Sequence, residues 1–127
     1  MFLLYNVDRY TFVAKNCVDC KNYKGVRIIF TDVQRNEKSN KHPELRKDDF
    51  LERIVSAVQK PAFVYEDLDR KDYYAYYFRE FKINSRTRYT KVIARKLKYY
   101  HFIITAYRPD FVKERGKTKL LYGEDND

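Results

Sequence analysis

The chain has 127 residues, 44% of them hydrophobic and 35% charged, which is material for one folded domain with one core and excludes global disorder. Lysine and arginine number 27 against 18 aspartates and glutamates, a net charge of +9 that points first to a phosphate-bearing partner, although the same charge also keeps a small protein soluble. Three glycines and three prolines exclude a flexible linker, and no apolar run approaches the length of a membrane span.

At the start, "FLLYN" and "YTFVAKN" bracket "VDRY" as a strand pair, an extension over residues 1–25 that ends in the turn "CVDCKNYKG". "MFLLYNVDRY" carries neither a basic leader nor a small-residue cleavage site, so a cytoplasmic, non-membrane chain is expected. Cys17 and Cys20 are the only cysteines, and as half of a zinc site they would need His42 and His101, neither at finger spacing. Reduced cysteines in a turn, with no metal and no cofactor, are the expectation.

"VRIIFTD" reads as a strand ending at Thr31 and Asp32, both able to cap a helix. The polar "DVQRNEKSNK" is a surface helix if it is helical at all. In "KDDFLERIVSAVQKP", Phe50, Leu51, Ile54, Val55 and Val58 share one helical face, with Asp48 or Asp49 as N-cap and Pro61 as the stop. The period then becomes alternating: "AFVYED", "DYYAYYFREFKI", "RYTKVIAR" and "YYHFIITAY" predict four strands joined by turns at Leu68 to Lys71, Asn84 to Thr87 and Lys96 to Lys98. Helices first and a meander after them predict an α+β domain, an antiparallel sheet with helices packed on one face.

A tight turn near Lys98 sets the register of the last hairpin, placing Val92 opposite Ile104 and Ala94 opposite Phe102 on the core face. Lys91 then lies opposite Thr105 and Tyr89 opposite Tyr107 on the other face, which His101 shares. An ammonium and hydroxyl donors converging this way can bind a phosphodiester and stabilise charge growing on its oxygens. A metal-free ribonuclease lets the RNA 2′-hydroxyl attack phosphorus and needs a general base and acid, for which His42 and His101 are both candidates. A strand with Thr and Tyr at alternate positions is equally an ordinary strand, and His42 equally a helix-terminal residue whose cation the helix dipole favours.

"FTDVQRNEKSNKHPELRKDDFLERIVSAVQKPAFVYED", the Tyr-rich strand, "YTKVIA" and "FIITAY" together resemble the PBECR nuclease-fold domains, phage-associated members of the Barnase, EndoU, colicin and RelE superfamily. The resemblance covers residues 26–112 within a single domain, 1–127. It implies a BECR-like fold, N-terminal helices on a curved antiparallel sheet of about four to five strands. It also implies a ribonuclease, a toxin or phage-related effector cutting RNA, often tRNA, with a neutralising antitoxin protein as a possible partner. Residue by residue, His42 stands at the family's His-Pro-Glu histidine, Lys91 at its strand lysine, and Thr105 and Tyr107 at its Thr-Ala-Tyr pair. These four would be catalytic and Arg35, in the preceding helix, would bind the phosphate, while the residues themselves add Glu44, Tyr77, His101 and Arg108 as substrate-binding candidates, the Arg108-Pro109 pair departing from the family's Tyr-Pro. Two other functions remain open from the sequence: a basic nucleic-acid-binding module without catalysis, and a protein-interaction domain docking a partner on its tyrosine-rich sheet.

Overall fold

The structure is a computed structural model that describes residues 15–83, 86–110, 112, 114 and 116–123. Seven strands form one mixed sheet: β1 (Asn16–Lys21), β2 (Arg27–Thr31), β3 (Phe63–Asp67), β4 (Tyr73–Ile83), β5 (Arg86–Lys96), β6 (His101–Tyr107) and β7 (Thr118–Gly123). Their order is β1-β2-β6-β5-β4-β3-β7, with β2 and β6 parallel and the other pairs antiparallel. Between β2 and β3 lie two α-helices, α1 (Asp32–Lys38) and α2 (Asp48–Gln59), and a 3-10 turn at Pro43–Arg46. This overturns the expected fold class. The described residues are mostly sheet, and among them a seven-stranded mixed sheet with two α-helices replaces helices packed on four to five antiparallel strands.

The added strands lie at both edges, and each has a local reason. Cys17 and Cys20 fall in β1 rather than in a turn, and the actual turn is made by Asn22, whose Oδ1 accepts from the Lys24 and Val26 backbone N–H groups at 2.9 and 3.0 Å. Gly25 follows at a φ of +81°, where a side chain is disfavoured. At the opposite edge β7 pairs with β3 through mostly exposed residues, so its sequence lacks the alternation that marks a half-buried strand. The strand pair expected in "FLLYN" and "YTFVAKN" falls outside the described residues but for Lys15 and Asn16.

One face of the sheet holds the main core. Phe50, Ile54, Ala57 and Val58 of α2 bury themselves against Val18, Ile28, Phe30, Val64, Tyr76, Val92, Ala94, Ile103 and Ala106. Each fully buried large apolar side chain contributes about 1.5–3 kcal/mol. Lys47, not Asp48 or Asp49, precedes the first turn of α2, and both aspartates sit inside that turn, where the helix dipole favours them. α1 is a surface helix with no buried residue, capped by Thr31, whose Oγ1 accepts from the Gln34 N–H at 3.1 Å. Thr31→Ala is expected to cost about 1 kcal/mol, measurable as a lowered midpoint in thermal or urea unfolding.

Candidate functional site

A bulge in β6 decides what faces what. Lys91 pairs with Tyr107, Val92 with Ala106 and Ile93 with Thr105, but Ala94 pairs with Ile103, so Ile104 is an extra residue without a partner. Ile103 and Ala106 therefore both enter the core although they are three positions apart. The register expected from strict alternation is corrected accordingly: Lys91, not Tyr89, lies opposite Tyr107, Val92 lies opposite Ala106 rather than Ile104, and Ala94 lies opposite Ile103 rather than Phe102. Beyond the bulge the side-chain parity reverses. His101 consequently falls on the helix-bearing face, its ring parallel to that of Tyr74, and away from Lys91, Thr105 and Tyr107.

The opposite face carries the candidate site. Lys91, Thr105 and Tyr107 share it, and His42 reaches it from the loop between α1 and the 3-10 turn, stacking on Tyr107 with ring centroids 4.5 Å apart and planes 9° from parallel. Two contacts place that loop over β6. Gln34 Nε2 donates to the Ile104 carbonyl at 2.7 Å, and the Arg108 backbone N–H donates to Glu44 at 3.2 Å. Both occupy the β6 edge that β2 leaves open, because β2 pairs with β6 only at His101 and Phe102. Pro43 then starts the 3-10 turn directly after His42.

His42 is held below the usual histidine range by burial, with Lys41 and Lys38 acting in the same direction and Glu44 opposing. The imidazole is thus neutral near pH 7, which is the form a general base requires and the reverse of a cation favoured by a helix end. On the neighbouring strand, the buried Lys91 Nζ pairs with Glu114 at 2.7 Å and sits 5.3 and 6.0 Å from the ring centroids of Tyr77 and Tyr107. The Tyr77 hydroxyl also donates to Glu114, and its ionisation is pushed far up by burial first and by that carboxylate second. Lys91, Tyr107 and Glu114 line an open pocket of about 430 Å³ together with Asp67, Asp69, Arg70 and Gly116, and His42 adjoins it only through the Tyr107 ring.

The other predicted residues take different places. Thr105 Oγ1 is buried without a hydrogen-bond partner among the described residues, so it does not present its hydroxyl to a ligand in this conformation. Tyr77 is fully buried with Phe63, Ala75 and Tyr89 in a small second core, so its ring is closed to a stacking base. Arg35 donates to the Leu45 carbonyl at 2.5 Å and to Asp48 at 3.2 Å, bracing the 3-10 turn rather than the pocket. Glu44 holds the end of β6. Arg108 lies on the helix-bearing side, where its guanidinium pairs with Glu80 at 3.1 Å and covers the Phe50 ring at 5.1 Å.

Two carboxylates escaped the sequence reading. Glu114 is one acidic residue in the basic run "FVKERGK", and nothing in that spacing signals a partner on β5. Glu80 is the extra residue of a bulge in β4, where Arg79 pairs with Tyr89 and Phe81 with Arg88. The cysteines are half-buried and free. Burial, with Asp32 nearby, pushes the Cys17 thiol up to about 11, and burial likewise raises Cys20, so neither is a ready thiolate. Among the described residues no helix is long and apolar enough to cross a membrane. Comparison with known proteins finds no matching family model, curated protein or solved structure, so the PBECR resemblance rests on the quoted residues alone.

Proposed function

We propose that the chain is a metal-independent endoribonuclease, cytoplasmic and acting as a toxin or phage-related effector, with the pocket lined by Lys91 and Tyr107, on whose ring His42 stacks, as its site. The observation that carries this reading is the neutral imidazole of His42 stacked on Tyr107, one strand from a buried ammonium in a chain of net charge +9. In this scheme His42 takes the proton of an RNA 2′-hydroxyl as that oxygen attacks the adjacent phosphorus, and the bond to the 5′-oxygen breaks as that oxygen takes a proton from solvent water, giving a 2′,3′-cyclic phosphate and a 5′-hydroxyl. Lys91 spends one of its three N–H donors on Glu114 and keeps the others for the non-bridging phosphate oxygens. The Tyr107 phenol orients the same phosphate. Glu114 holds Lys91 in position.

A second reading, a nucleic-acid-binding module without catalysis, is favoured by the same Lys91–Glu114 pair, which offsets much of the charge that a transition state would use. Incubation of the purified chain with total RNA in EDTA separates the two. Cleavage leaving 2′,3′-cyclic phosphate ends is the expected result. Salt-sensitive binding with intact RNA would overturn the ribonuclease and leave the binding module.

A further inference from the structure

We propose that the cleft between the β1–β2 turn and the β5–β6 turn is a second ligand site, built for one nucleotide unit, on the sheet face opposite His42. The cavity measures about 270 Å³, at the small end for ligand pockets, which suits one base better than several. Its position follows from the fold. β4 supplies Tyr74 and Tyr76, the β1–β2 turn supplies Tyr23, and the β5–β6 turn supplies Tyr99 and Tyr100 before His101 opens β6.

Three features fit a base bearing a phosphate. The first is aromatic surface: Tyr99 is 80% exposed, and the parallel rings of Tyr74 and His101, 5.8 Å apart, offer flat faces for stacking. A second is an unmet hydrogen bond. His101 Nδ1 is buried without a partner among the described residues, whereas the neighbouring buried Asn22 donates to the Tyr76 hydroxyl at 3.0 Å and is accounted for. Burial, reinforced by Lys96 and opposed by Asp72, keeps this imidazole neutral near pH 7, so Nδ1 can donate or accept according to tautomer. Charge is the third: Lys24, Lys96 and Lys98 lie in the lining and, among the described residues, no acidic one does, which matches a phosphate attached to the base.

The proposal stands on this cleft alone and does not require cleavage at His42. The test is titration of the full chain, by calorimetry and by amide chemical shifts, with the four nucleoside 5′-monophosphates, the corresponding nucleosides and inorganic phosphate. At least one monophosphate is expected to bind more tightly than its nucleoside or than phosphate, shifting the amides of Tyr99 to His101. Tyr99→Ala, at a position too exposed to endanger folding, and His101→Ala are each expected to weaken that binding at least fivefold. Binding by inorganic phosphate alone, shifts confined to the His42 side, or equal affinity in the Tyr99 and His101 variants would overturn the second site. Loss of RNA cleavage with nucleotide binding retained would count against the ribonuclease only.

Discussion

His42→Ala is expected to lower RNA cleavage by about 10²–10⁴-fold, the range that general acid–base catalysis supplies, while leaving the fold intact. The imidazole is only half-buried and meets the sheet through one ring face on Tyr107, so its loss opens no core cavity. The pH profile provides a sharper signature. A base acts in its neutral form, so cleavage should fall as pH drops through the His42 pKa. Burial places that pKa below the ordinary histidine value of 6.5, against the pull of Glu44. The acid limb of kcat/KM is therefore expected below pH 6.5 and absent from the residual activity of the variant. An acid limb centred above that value, or undiminished cleavage, would take His42 out of the chemistry.

Glu80→Ala is expected to destabilise the fold by about 3 kcal/mol, because it breaks a buried, multiply bonded ion pair and leaves its partners without a counter-charge. The Glu80 carboxylate is 2% exposed and accepts from Arg53 of α2, from Thr90 Oγ1 at 2.7 Å and from Arg108 at 3.1 Å. It thereby ties the helix, β5 and the end of β6 together. Arg53 and Arg108 are partly exposed, at 31% and 42%, and can recover water, which keeps the loss at the low end for such pairs. Burial alone would raise the Glu80 pKa, but the hydrogen bonds from Thr90, Arg108 and Arg53 outweigh it and the net value is lowered. The folded pKa lies below the unfolded one, so this stabilisation is complete above the unfolded value near 4.5 and is lost as pH falls through the folded value. Urea unfolding across pH 3 to 7 checks both points. A wild-type acid limb that Glu80→Gln does not flatten would show that the pair contributes no net stability.

Elements whose sequence carries its own period or punctuation were legible. The apolar face of "FLERIVSAV", Pro61 after it, and the alternation through β3 to β6 were set by the preference of apolar side chains for one face, which any window of the chain displays. The Thr31 cap is local for the same reason, since its oxygen bonds an N–H three residues away. Exposed strands were not legible. β7 earns its place through backbone pairing with β3, and backbone hydrogen bonds leave no mark on residue type.

The candidate site divides along the same line. Residue chemistry offered His42, His101, Lys91, Thr105 and Tyr107, and the family resemblance singled out His42; it meets Tyr107 because its loop folds over the free edge of β6, and Lys91 Nζ lies 6.0 Å from the same ring. Only tertiary structure decided that His101 belongs to the other face, since a single unpaired residue, Ile104, reverses side-chain parity and strict alternation contains no sign of it. Likewise Glu114 lies 23 positions from Lys91 and Glu80 lies 27 from Arg53, separations at which charges in sequence carry no information about partners. What periodicity and local bonding determine could be read from the chain itself. The bulges and the long-range ion pairs, which depend on how strands stack into one sheet, could not.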